Sequence, residues 1–211
     1  MVARGDIKGR FGTWYRVVLG ILVLLALAKL FYDGTQRPTF SAVNFFSYFT
    51  NLSNILGALL FIYCGLRGDI DSLVVDLLRG AATVYLATTG IVYNLLLTGE
   101  AVGVLNPYAN VMVHAIMPLA AVGDWLMFPP KNQIQIKQAL LWLIFPFLYL
   151  TYSLIRGPIT GFYPYPFLNP ETSGGYGAVA VVCIGIAIAL VLLVLAVVWT
   201  GNRQRNVRAR S

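Results

Sequence analysis

Apolar residues gather in six stretches joined by short polar linkers: Trp14 to Tyr32, Val43 to Gly65, Leu77 to Leu97, Tyr108 to Phe128, Gln138 to Ile155 and Gly175 to Thr200. Each is close to the roughly 20 residues a helix needs to cross a hydrocarbon core of about 30 Å. The pattern predicts an all-α, polytopic membrane protein, a bundle of six transmembrane helices forming one domain over residues 1–211. The linkers leave no room for a soluble domain, and the halves of the chain share no repeat.

Most of these stretches are plain, so their polar positions stand out. In the second, Ser47, Thr50, Asn51 and Asn54 follow the i, i+3, i+4, i+7 spacing of one helical face. The third carries Thr88, Thr89, Tyr93 and Asn94, and the fourth carries Asn110 one turn before His114. Taken singly, such residues join helices through hydrogen bonds. Gathered in the outer half of three spans, they point to a site. His114 is the sole histidine, and an ionisable side chain inside lipid-spanning sequence is a functional-site hypothesis by default. At about 1.5 Å per residue, Thr50 lies about 10 Å below Val43 and His114 about 9 Å below Tyr108, so the two share a depth. Pro118, four residues after His114, cannot donate to its carbonyl, which predicts a local kink beside the site. Pro146 falls inside the fifth span.

Composition agrees: 58% of residues are hydrophobic and 11% charged, against about 25% charged in soluble domains. The net charge of +7 does not indicate nucleic acid, because no aromatic-interleaved basic patch accompanies it. It reports orientation instead. Arg4, Lys8, Arg10, Arg16, Arg67, Arg79, Lys131, Lys137, Arg203, Arg205, Arg208 and Arg210 fall on one face, leaving Lys29, Arg37 and Arg156 on the other. The positive-inside rule then predicts that both termini are cytoplasmic. A basic start, an apolar run and Ala26-Leu27-Ala28 loosely match a signal peptide, but losing that span would put the tails on opposite faces. Cys64 and Cys183 lie at different depths and read as packing residues rather than a disulfide. With one histidine they make no zinc site, and no metal or cofactor is expected.

Thr50 and His114 are chemically a nucleophile and base: a threonine hydroxyl attacks only once a base takes its proton, and neutral imidazole does this. The alternative is that Thr50 bonds the carbonyl four residues back and His114 donates to a neighbouring helix. No acid lies in the outer half of any span, so Asn110, Asn51 or a backbone carbonyl must orient the imidazole. Asn51, Asn54, Asn94 and Tyr93 are candidate donors to a developing oxyanion. Lys29 and Arg156 are the cations placed to meet an anionic lipid carboxylate, or else to snorkel to the headgroups. Asp124, near the cytoplasmic end of the fourth span beside Trp125, is at the wrong depth to serve His114 and reads as a helix-end or interfacial residue. Asn51-Leu52-Ser53 matches a glycosylation acceptor but lies within a span. No mid-span lysine in the last helix supports a retinal protein, and Met112 or Met117 on the same segment as His114 makes haem ligation implausible.

Tyr48-Phe49-Thr50-Asn51-Leu52, then Asn110 with His114 and Pro118, then Thr160-Gly161 followed by Tyr165-Pro166-Phe167-Leu168 together resemble the androgen-induced membrane proteins. The resemblance implies six spans and hydrolysis of fatty acid esters of hydroxy fatty acids, with Thr50 matching the family's nucleophile and His114 its histidine. Asn51, Ser53 and Asn54 make the stretch after Thr50 more polar than is expected of animal members, and the loops and basic tail are bacterial in style, implying a bacterial plasma membrane. The expectation is an intramembrane threonine-dependent esterase whose lipid substrate arrives from the bilayer. A non-catalytic lipid-binding or transport protein is the alternative.

Overall fold

The computed structural model describes residues 4–68, 70–98 and 106–208, and is helical throughout its spans. The side chains of Arg4, Lys8, Arg10 and Arg208, and the whole of Arg210, used above for orientation, lie outside what is described. In chain order, α1 (Arg4–Thr35) is followed by the short α2 (Ala42–Phe46), then by α3 (Phe49–Arg67) and α4 (Leu73–Val92), which ends in a π turn, Tyr93–Leu97. The fourth span is composite: α5 (Pro107–Val111), a π turn at Met112–Ile116, and α6 (Met117–Met127). The fifth joins α7 (Ile136–Ala139) through a 3₁₀ turn to α8 (Ile144–Thr160). After the small α9 (Pro170–Ser173), α10 (Tyr176–Arg208) closes the chain. Six of these helical runs are long and apolar enough to cross a membrane, and α3 and α4 are the innermost.

Close approach between spans depends on small residues, as in other membrane bundles. A methyl group added at Gly20 of α1 would lie 2.8 Å from the Ala58 carbonyl of α3. One added at Gly90 of α4 would press on Pro118 and on the His114 carbonyl, at 3.1 and 3.3 Å. Gly90 thus lets α4 lie directly against the histidine's turn.

The second apolar stretch is not one helix. It breaks at Ser47 and Tyr48, where Tyr48 is extended (φ −82°, ψ 126°) and α3 begins afresh at Phe49. This corrects the single face expected for Ser47, Thr50, Asn51 and Asn54: Ser47 closes α2, while the others start α3. The break contains neither Gly nor Pro. It persists because its freed backbone groups find partners. Asn51 Nδ2 donates to the Phe45 carbonyl at 2.7 Å, and the Tyr149 hydroxyl of α8 donates to the Ser47 carbonyl at 3.0 Å. Ser47 Oγ itself bonds the Val43 carbonyl at 2.7 Å.

At the end of the bundle where α1 begins and α10 ends, charge is buried. Asp124 of α6 is met by Tyr15 and Arg16 of α1 and by Arg79 of α4, the last at 2.8 Å. Arg79 also donates to the Phe128 carbonyl and lies 3.8 Å from Asp76, which accepts from Asn132. Asp124 does lie in the last turn of α6, but it is buried and bound by side chains of other helices. Four charged side chains bind three spans there, and Arg16 and Arg79 are buried within the bundle rather than in its flanking loops.

Candidate functional site

Thr50 is the second residue of α3, where a backbone N–H has no partner within its own helix. That N–H is instead taken by the Tyr165 hydroxyl at 3.2 Å, and the same phenol lies 3.2 Å from Thr50 Oγ1. On its other side Thr50 Oγ1 faces His114 Nε2 at 3.4 Å, slightly longer than an ideal hydrogen bond, as such pairs often are without substrate. Thr50 and His114 are 7% and 5% exposed, so water competes little for either.

His114 sits in the π turn Met112–Ile116, in which the Met117 N–H reaches back to the Met112 carbonyl. Pro118 supplies no N–H to the His114 carbonyl, so the predicted kink takes the form of a widened turn. Tyr93, in the other π turn, lays its ring on the imidazole with centroids 3.9 Å apart and 19° between planes. Its hydroxyl accepts from Asn110 Nδ2 at 2.6 Å. Asn110 Oδ1 is then free to face His114 Nδ1, at 2.7 Å, and the Asn110 backbone carbonyl lies 3.2 Å from the same nitrogen. A carbonyl can only accept, so Nδ1 carries the hydrogen and Nε2 presents its lone pair to Thr50. Asn110 thus holds the imidazole in the tautomer of a base, without a carboxylate.

The remaining candidates divide. Asn54 donates to the carbonyls of Thr50 and Val113 at 2.9 and 3.0 Å. It ties α3 to the histidine's turn but has no donor left for an oxyanion. Asn51 is committed to the Phe45 carbonyl beneath the break. Asn94 is exposed and bonds the Gly90 carbonyl of its own helix at 2.8 Å, which removes it from the site. Lys29 is ion-paired with Asp33 on α1 and is exposed as well. Arg156 of α8 donates to Asn44 Oδ1 at 2.6 Å, lies against the Phe162 and Tyr152 rings, and has its other terminal nitrogen buried without a hydrogen-bond partner.

Sequence reasoning did not single out Tyr165 as a site residue. It belongs to the segment between α8 and α10, which turns at Gly161 (φ 69°) and packs Tyr165 and Leu168 into the bundle. Tyr48 packs against the Tyr165 ring edge to face, and Phe167 stacks on it. Burial pushes the phenol above its ordinary pKa, so it stays a protonated donor. Loop tyrosines carry no periodicity by which such a role could be read; its place in the Tyr-Pro-Phe-Leu motif was the sole hint.

Thr50 and Tyr165 open onto a cavity of about 310 Å³ between α3, α4, α8, the Tyr165 segment and α10. Its walls are largely apolar, with Phe49, Leu97, Leu143, Leu150 and Ile186 among them, and Cys183 of α10 also lines it. Cys64 and Cys183 are both free thiols. Among the described residues no group of three His, Cys, Asp or Glu side chains is placed to hold a metal ion. The chain matches no protein-family model, no curated protein and no solved structure.

Proposed function

We propose that the protein is an intramembrane ester hydrolase acting on lipid esters, with Thr50 as nucleophile and His114 as general base. The observation that carries this reading is the hydrogen-bond order Tyr93–Asn110–His114–Thr50, which leaves one imidazole lone pair, aimed at one hydroxyl, beside an apolar cavity. A neutral base and a positioned hydroxyl are what acyl transfer to oxygen requires.

With an acyl chain in the cavity, His114 Nε2 takes the Thr50 proton as Oγ1 bonds to the ester carbon and the carbonyl electron pair moves onto oxygen. The intermediate collapses by breaking the bond to the alcohol oxygen, which receives the proton from His114. Water then enters; His114 removes its proton as the water oxygen bonds to the acyl carbon, and the acyl-threonine bond breaks as His114 returns the proton to Thr50 Oγ1, releasing the acid. Asn110 accepts from Nδ1 throughout and stabilises the imidazolium formed in each half-reaction.

The likeness of the Thr50, His114 and Tyr165 segments to the androgen-induced proteins supports fatty acid esters of hydroxy fatty acids as substrates. Arg156, which has no acidic partner among the described residues, is the cation suited to a free carboxylate on such a lipid. The apolar cavity favours one other reading, a non-catalytic lipid-binding protein, since a chain fits it with or without chemistry.

Hydrolysis of a branched fatty acid ester of a hydroxy fatty acid by detergent-purified protein separates the two. Turnover is expected in the wild type, with a loss of at least about a thousandfold in Thr50→Ala and in His114→Ala. A fluorophosphonate probe is expected to label Thr50. Absence of turnover and of labelling in folded wild-type protein would leave the lipid-binding reading.

A further inference from the structure

An oxyanion formed by attack of Thr50 needs donors, and the asparagines available by residue type are bound elsewhere. Two polar hydrogens remain next to Oγ1: the Thr50 backbone N–H and the Tyr165 O–H, which now bond to one another's residue at 3.2 Å. The carbonyl oxygen of a substrate bonded to Oγ1 lies one atom further on, between these two donors. The nucleophile's own N–H serves in this way in serine proteases. At the start of α3, a helix of 19 residues, that N–H also carries the partial positive charge of a helix N-terminus.

We infer that Tyr165 is a catalytic residue, the side-chain half of an oxyanion hole whose other half is the Thr50 N–H. The inference rests on the esterase reading above. In the resting enzyme the phenol accepts from the Thr50 N–H and donates toward Oγ1. As Oγ1 bonds to carbon it becomes the weaker acceptor, and negative charge appears on the carbonyl oxygen. The Tyr165 O–H then turns to that oxygen, and the released Thr50 N–H does the same. No proton leaves Tyr165 and no covalent bond to it forms; the single proton transferred is the one between Thr50 and His114.

The surroundings fit a donor that must keep its place. Tyr165 is 7% exposed and lines the cavity beside Thr50. Its ring is held by Tyr48 and Phe167, contacts that a phenylalanine would keep. The loop carrying it is therefore part of the site rather than a cover over it.

The test is Tyr165→Phe in the full-length protein, assayed with a p-nitrophenyl acyl ester and with a long-chain trifluoromethyl ketone, which adds to a nucleophilic hydroxyl to give an oxyanion. Loss of one such donor lowers kcat by about 10² to 10³, with KM within about threefold. Affinity for the ketone is expected to fall by a similar factor, whereas affinity for the product fatty acid, which makes no oxyanion, stays the same. A variant that keeps kcat and ketone affinity within about threefold overturns the inference and leaves the esterase reading intact. Equal losses for ketone and fatty acid overturn it also, by showing that the ring merely shapes the cavity. Wild-type protein that neither turns over the ester nor binds the ketone removes the esterase reading, and the inference with it.

Discussion

The two ends of this bundle handle buried polar groups in opposite ways. At the end where α1 begins and α10 ends, Asp124 is enclosed by Arg16, Arg79 and Tyr15. At the other end Thr50, His114, Asn110, Tyr93 and Tyr165 form a hydrogen-bonded chain without a formal charge. The ionic group joins α1, α4 and α6, and each member depends on its neighbours to offset desolvation. The neutral chain has a direction, from Asn110 to Nε2 to Oγ1, and it ends on a hydroxyl beside a cavity. Charge makes a fastening, whereas a directed set of neutral donors and acceptors has the order that the proposed chemistry requires.

That contrast is open to direct attack. The largest effect on stability is expected from Asp124→Ala, which leaves Arg16 without its acidic partner and Arg79 with the Phe128 carbonyl and the more distant Asp76. Removing one partner of a buried ion pair costs about 3 to 5 kcal/mol. Thermal unfolding in detergent should shift strongly downward, while the hydrolysis rate per folded molecule stays near wild type. A fall in rate that exceeds the fall in folded fraction would mean the two ends are coupled.

Asn110→Leu is expected to do the reverse. Without its acceptor at Nδ1 the imidazole loses its fixed tautomer, and kcat should drop about a hundredfold, equivalent to about 2.7 kcal/mol of barrier. The unfolding temperature should change far less than in Asp124→Ala. Stability loss without rate loss would place Asn110 among the helix-joining residues and remove the directed chain.

The smallest effect belongs to Tyr149→Phe, which removes the donor to the Ser47 carbonyl at the break before α3. The loss of one such bond is worth about 1 kcal/mol. If the break serves to hold Thr50 in place, kcat should fall several-fold at unchanged KM; an unaltered rate would show that Asn51 suffices to hold it.

Much of this was readable in the chain. Length and hydropathy sufficed for the spans; equal depth allowed Thr50 and His114 to meet only if their helices were neighbours, and it is the packing that brings Oγ1 and Nε2 to 3.4 Å. Asn110, one turn from His114, was in reach of the imidazole by helix geometry alone. The break at Ser47 and Tyr48 was not readable, because no Gly or Pro marks it and its stability comes from Asn51 and the distant Tyr149. Nor was the setting of Asp124 readable, since Arg16 and Arg79 on other helices look, in sequence, like ordinary flanking cations.

What the sequence by itself determined was whatever depends on free energy summed along one segment: which stretches enter lipid, and which rare polar side chains are costly enough there to need a purpose. What the tertiary structure alone decided was who partners whom. It spent the donors of Asn51 and Asn54 on backbone carbonyls, turned Asn94 outward and set Tyr165 against Thr50. The reason is that a hydrogen bond is short and directional, so its partner is chosen by the packing of helices far apart in the chain, whereas burial in lipid is set residue by residue.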